Sequence, residues 1–375
     1  MLYEIHMLKN YPPTNLNRDE TGAPKTCLFG GVTRGRISSQ CLKRSWRMSP
    51  TFREEIGEEY MGIRTRRLPV LVAEKLVDMG VSEEFAAAIQ PCLTGIGNKE
   101  GKATKDGTAT AQVIFYARED IEAVAIAAKT LLDKCSSVKD VQKLKPKDVQ
   151  AEMQGAEIRP ITLDIALFGR MVTCDEFRDV EASMQVAHGI STNKVSVESD
   201  FFTAMDDLLS GGSMEETGAA MIGDVDFNAS CFYIYASLDT DALRENLKYS
   251  DEPDRIIKLA VPAILRAMAY TDPNGKQNAF AGHVLPSAVM VECKEKKIPT
   301  SMVNAFVAPV EKSGDMVQRS VQKLADEVDM VVRNFGLEVK DRLWFCVDKY
   351  GIAPASATKT CSSFPELVET VSAGL

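Results

Sequence analysis

The residues best suited to binding an anion are concentrated in one stretch, LNRDETGAPKTCLFGGVTRGRISSQCLKRSWR, at positions 16–47. Between Arg18 and Arg47 lie seven cations (Arg18, Lys25, Arg34, Arg36, Lys43, Arg44 and Arg47) against two anions, Asp19 and Glu20. Ser38 or Ser39 can cap a helix here. With Ser39 at the cap, Gln40, Lys43, Arg44 and Arg47 recur at i, i+3, i+4 and i+7 and share one face. Leu42 and Trp46 fall on a different face, suited to packing on a sheet. Cations in the first turns oppose the helix dipole by roughly 0.3–1 kcal/mol each, a penalty that a docked phosphate reverses. Arg18, Lys25, Arg34 and Arg36 would feed that phosphate face from the preceding loop. Charge alone leaves two readings open: a phosphate-binding face, or a solvated basic helix whose charges pair with an acidic body.

Other chemical candidates are weaker. GNKEGKAT (97–104) evokes a phosphate-binding loop, but three residues instead of four separate Gly97 from Gly101, and Ala103 stands where a hydroxyl must reach magnesium. A flexible basic loop is the simpler reading. His188 is a conceivable general base, yet it sits in an apolar pattern without a paired nucleophile and reads better as structural. Asp206-Asp207 reads as loop surface before it reads as a metal pair. Phe201-Phe202 stand in an otherwise polar excursion and need a partner, either the protein body or a stacked base. The nine cysteines form no C-x-x-C pair, and with three scattered histidines they give no zinc spacing. No metal or cofactor is expected, and reduced thiols fit a cytoplasmic protein.

The chain that must position these residues has 375 residues, enough for two domains or one elaborated domain with a full core. Its balance, 45% hydrophobic and 26% charged, excludes a mainly disordered chain. No apolar run is long enough for a membrane span, and no secretion signal is visible. The net charge of −9 argues weakly against nucleic acid, but the Arg18–Arg47 segment is itself +5. A basic focus on an acidic body can bind a polyanion at one face and stay soluble elsewhere.

Leu2 to Leu8 predicts a strand, closed by Asn10-Tyr11-Pro12-Pro13. Residues 54–155 look helical, broken by a Gly/Lys/Thr-rich loop. ITLDIALFGR (161–170) alternates like a strand, and VEASMQVAHGI (180–190) has a helical pattern. Residues 194–224 predict a projecting hairpin or long loop, and 226–239 the best strand in the chain. A helix over 255–270, kinked at Pro262, is followed by strands at 287–293 and 342–348 with a helix near 315–334 between them. Strands interleaved with helices and interrupted by two insertions predict an α+β sandwich.

The order L-N-R-D, P-K, F-G-G and R-x-R-I-S-S-Q-x-L-K-R-x-x-R, followed by DIALFGRM (164–171), AHGIST (187–192) and DFFTAMDDL (200–208), resembles the CasC-type backbone subunit of the type I-E CRISPR surveillance complex, Cascade. The similarity runs from the first strand to at least Leu208 and continues more weakly beyond.

The resemblance implies an α+β fold with a ferredoxin-like, RNA-recognition-type palm. The palm would comprise 1–60, 156–193 and 225–375, with helical fingers at 61–155 and a thumb at 194–224. It implies a non-catalytic protein whose copies polymerise along one CRISPR RNA and present it to target DNA beside other Cascade subunits, with no membrane. By matching motif, Arg18, Lys25, Ser38, Gln40, Lys43, Arg44 and Arg47 contact the RNA backbone. Arg170 and Met171, and the thumb residues Phe201, Phe202 and Thr203, meet the displaced nucleotide; Lys276 in PNGKQNAF is a weaker match. The competing class is an RNA-processing endonuclease of the same superfamily, with His188 as its base.

Overall fold

The computed structural model describes residues 1–98, 104, 107–153, 155–204 and 221–375. The strands are β1 (Leu2–Thr14), β2 (Thr26–Phe29), β3 (Val32–Ile37), β4 (Ile63–Thr65), β5 (Ile114–Tyr116) and β6 (Met184–Val186). They continue with β7 (Gly189–Ser191), β8 (Glu198–Ala204), β9 (Met221–Asp239), β10 (Ala288–Lys294), β11 (Asp341–Cys346) and β12 (Lys359–Cys361). The chain divides into two compact units, one of residues 1–55, 185–238 and 261–375, the other of residues 56–184 and 239–260.

The first unit is built on a mixed sheet in the order β12-β11-β10-β1-β9-β7-β3-β2. β1 lies in its interior, and every residue from Leu2 to Lys9 is buried. A strand covered on both faces cannot alternate apolar with polar, so its polar members must find partners inside. Glu4 accepts from Tyr235 Oη and pairs with Lys294, which also reaches Glu292 at 2.9 Å. Arg342 Nε donates to Glu292 at 2.6 Å. Lys9 Nζ lies 2.6 Å from Asp272.

One sheet face presents Leu8, Tyr233, Tyr235, Met290 and Trp344 to a cluster that includes Val317, Val321, Leu324, Val328 and Val331 of the helix Met316–Phe335. Those helix positions recur at three and four residues, the spacing of one buried stripe. Asp315 caps that helix by accepting from Gln318 N, and Gly336 ends it in the left-handed region.

The second unit is mainly helical. Leu68–Asp78, Glu83–Leu93, Arg118–Leu132 and Pro146–Glu152 pack around a core of Val72, Leu76, Ile89, Leu93, Val124 and Leu132, joined by Tyr116 and Phe177. It takes in 156–184 as well as the helical stretch expected over 54–155. Residues 99–103, 105 and 106 of the basic loop lie outside the described residues.

The strands expected at Leu2–Leu8, 226–239, 287–293 and 342–348 are present, and so are the helices over 255–270 and near 315–334. β1 runs on through Pro12-Pro13 to Thr14, and the helix Pro253–Tyr270 continues through Pro262. Two local readings are corrected. Residues 161–170 do not form a strand: Leu163–Phe168 is a helix, ended by Gly169 at φ +82°. Because Leu163–Leu167 are all buried, the segment has no polar face whose spacing could report its period. Residues 180–190 are not helical but contain β6 and β7. β7 is drawn into the sheet between β3 and β9, with Gly189 opposite Ile37 and Ile190 opposite Tyr233. The 194–224 excursion has antiparallel arms, β8 against the start of β9, while residues 205–220, including Asp206-Asp207, lie outside the described residues.

Candidate nucleic-acid interface

The site is assembled around Asn17. Its Oδ1 accepts from Ser38 N at 2.8 Å, and its carbonyl accepts from Lys25 N at 2.8 Å. Lys25 in turn accepts from Arg36 N at 2.9 Å. One residue, through its side chain and its carbonyl, thus joins the loop, β2–β3 and the start of the basic helix. Asp19 is turned inward on its own loop, where its Oδ1 accepts from Thr21 N at 2.9 Å, Thr21 Oγ1 at 2.7 Å and Ala23 N at 3.1 Å. The Thr21 hydroxyl, with help from those amides, holds the Asp19 carboxyl below its usual range. Asn15 Nδ2 ties the same turn to β9 through Asp226 O at 2.8 Å.

The helix Ser39–Arg47 is capped by Ser38, one residue before the position assumed from the sequence. Ser38 Oγ accepts from Cys41 N at 3.3 Å and the residue is buried, so its hydroxyl serves the helix first. Leu42 and Trp46 anchor the helix in the core, which leaves Gln40 and Arg44 exposed and Lys43 and Arg47 half-buried. Partial burial pulls the Lys43 ammonium below its usual range, since desolvation disfavours the charged form. Arg36 donates from Nε to Thr26 O at 3.3 Å and reaches His188 Nδ1 from Nη1 at 3.3 Å.

Arg18, Lys25, Arg36, Lys43 and Arg44 form no ion pair with a carboxylate among the described residues. Some cations elsewhere pair, as in Arg266–Glu55, Arg244–Asp254, Lys296–Glu338 and Lys359–Glu366, while others, such as Arg64, Arg67, Lys194 and Lys258, also have no carboxylate partner among the described residues. The five are thus not neutralised by a close carboxylate among the described residues. Lys276 has φ +53° and precedes the short helix Gln277–Phe280, and its neighbour Gly275 is pressed on Leu16, where a Cβ would collide with the Leu16 carbonyl.

Two expected contacts are removed from the surface. Arg34 is fully buried. Its Nη1 donates to Ser191 O and Thr192 O at 2.9 and 3.0 Å, and its Nη2 to Phe306 O and Val307 O at 2.6 and 3.0 Å. It staples β3 to the 303–307 turn instead of facing a ligand. Arg170, also buried, donates to the Asp120 carboxylate, to Phe115 O at 3.1 Å and to Arg178 O at 2.9 Å. Its neighbour Met171 is 88% exposed, held out by that anchored arginine.

On the hairpin, Phe201 is 67% and Phe202 40% exposed. They point to opposite sides of the ribbon: Phe201 pairs with Asp224, while the Phe202 ring lies over Gly223. Thr203 is exposed one position on. Among the described residues no group of His, Cys, Asp and Glu could hold a metal ion, and no helix is long and apolar enough to cross a membrane. Asn17, the organiser of the site, drew no attention in the sequence, although its place inside the LNRD motif was a usable signal.

Comparison with known proteins adds a relationship to this geometry. The model of the CT1975-like protein family matches residues 3–370. A chain of a solved "CRISPR RNA-guided surveillance complex, pre-nicking" superposes with a TM-score of 0.84 at 27% identity, covering all of both chains. A chain of another solved "CRISPR RNA-guided surveillance complex" superposes at 0.63 with 22% identity over all of this chain and 99% of the other, a likeness of fold. No curated protein matches.

Proposed function

Because the chain belongs to the CT1975-like protein family, we propose that it is a backbone subunit of a CRISPR RNA-guided surveillance complex of type I-E, and that it holds guide RNA by its phosphates. The observation that carries this reading is the set of five cations, Arg18, Lys25, Arg36, Lys43 and Arg44, left without carboxylate partners among the described residues of the sheet-containing unit. Phosphate contacts give affinity independent of sequence, as a holder of variable guides requires, and leave base edges free for pairing. Gln40, Arg47 and Lys276 extend this face, and the Ser38 backbone belongs to it through its cap.

In this reading 1–60, 156–193 and 225–375 form a ferredoxin-like, RNA-recognition-type palm, 61–155 the fingers and 194–224 the thumb. The antiparallel arms of the 194–224 hairpin support the thumb. Met171, Phe201, Phe202 and Thr203 would meet a nucleotide displaced from the guide, by stacking worth about 1–3 kcal/mol per base. The subunit acts without catalysis, in contact with copies of itself, other subunits of the complex and target DNA paired to the guide.

The test is a salt titration of guide RNA binding by filter retention. Each single-strand phosphate contact contributes about −0.7 to the slope of log K against log salt. Lys43→Ala with Arg44→Ala should therefore weaken binding and flatten the slope by about 1.4. A double variant with the wild-type slope would remove the basic helix from the RNA path. Incubation with precursor RNA tests the scaffold role: specific cleavage abolished by His188→Ala would replace it with the endonuclease.

A further inference from the structure

His188 is exposed at the turn between β6 and β7, and the register of β3 with β7 sets it beside Arg36. Arg36 Nη1 lies 3.3 Å from His188 Nδ1. A guanidinium has only donors, so Nδ1 is the acceptor and the imidazole proton is on Nε2. The imidazole is thus a neutral stand-in for an anion, occupying one donor of Arg36. Two charged groups face it, Arg36 of β3 and Lys25 of the segment before β2; no carboxylate pairs with it among the described residues. Lys25 and Arg36 line one small recess with Asn17 and Asn228.

We infer that Arg36, Lys25 and His188 form one phosphodiester site in which the incoming phosphate takes the place of the Arg36–His188 hydrogen bond and His188 joins it as an imidazolium. The inference rests on the RNA-binding reading above and adds to it a residue and a coupled proton. No bond between heavy atoms changes; the one new bond is Nδ1–H. The Arg36 Nη1–H turns from Nδ1 to a phosphate oxygen, and Nδ1 takes a proton from the solvent and becomes a second donor. Burial, then Arg36 and then Lys25, hold the free imidazole below its ordinary range. A phosphate neutralises both cations and adds a negative charge, so the bound imidazole titrates higher than the free one. The sign follows: binding takes up a proton and is strongest below the free-state value. It weakens as pH rises from that value through the bound-state one, by at most about tenfold per pH unit for one proton.

The experiment measures binding of polyuridine carrying a pH-insensitive cyanine label to the full chain at low salt from pH 6 to pH 8, a range in which neither uridine, phosphodiester nor label titrates. The chain has only three histidines, His6, His188 and His283. Wild type should bind several-fold more weakly at pH 8 than at pH 6. His188→Gln, which keeps an acceptor for Arg36 but cannot take the proton, should bind with flat pH dependence at about the pH 8 affinity of wild type. His283→Gln should keep the wild-type slope. Calorimetry at pH 6.5 in buffers of different ionisation enthalpy should show net proton uptake for wild type and none for His188→Gln. A His188→Gln slope equal to wild type, or a slope lost only in His283→Gln, overturns the inference and leaves RNA binding intact. No binding at any pH would instead sink the RNA-binding reading on which it stands.

Discussion

Arg34 and Arg36 stand two residues apart on one short strand and meet opposite fates. Arg34 gives four hydrogen bonds to backbone carbonyls, while Arg36 keeps Nη1 for a neutral imidazole at the surface. Nothing in T-R-G-R distinguishes them, because the Phe306 and Val307 carbonyls that claim Arg34 arrive from some 270 residues away in the chain. Arg34→Ala would leave those acceptors unpaired and open a void, so it should cost about 3 kcal/mol or more of stability. A urea titration checks this: a marked fall in the midpoint, with the RNA salt slope of the folded protein unchanged, is expected. A variant as stable as wild type would contradict the staple.

At the scale of elements, the basic helix and the hairpin divide the labour. The helix is held by Leu42 and Trp46, so its cations are presented on a fixed support. The hairpin ribbon carries its aromatics outward, Phe201 on one side and Phe202 on the other, over a glycine that gives the ring room. Since Phe202 lies on a different element from the cations, Phe202→Ala should retain guide RNA at near wild-type affinity but weaken pairing with a complementary target strand. Electrophoretic mobility of assembled complexes with labelled target reads both quantities. Target affinity equal to wild type would take Phe202 out of the displaced-nucleotide role.

For the molecule as a whole, charge is sorted by position. An acidic protein of net charge −9 carries a segment of +5 between Arg18 and Arg47 and buries an ionic cluster in the sheet, where Glu4, Glu292, Lys294 and Arg342 pair with one another. His6 sits beside that cluster, with Nδ1 2.8 Å from Tyr233 Oη and Nε2 without a hydrogen-bond partner. Burial is the largest influence on it and lowers its pKa from 6.5, so the native state holds the neutral imidazole. The unfolded chain then binds the extra proton. Stability from this group is complete above about pH 6.5 and is lost as pH falls through the lower folded value. Thermal unfolding from pH 7.5 down to pH 5 should show Tm falling, and His6→Gln should reduce that slope. An identical slope in the variant would assign the acid sensitivity to other groups.

The basic helix was legible in the sequence because its information is local: a capping serine, an i/i+3/i+4/i+7 face and two apolar anchors lie within ten residues. So were the long strand β9, rich in aromatic and β-branched residues, and the helix Met316–Phe335, whose periodicity contrasts a buried side with a wet one. Residues 161–170 and 180–190 were misread for the reverse reason, since full burial erases the contrast in one and β-pairing to distant strands overrides local preference in the other. Which cations are left without a carboxylate partner among the described residues was decided only by the tertiary structure. A positive charge is written in the sequence, but its partner is whatever carboxylate, carbonyl or imidazole the fold brings within about 3 Å.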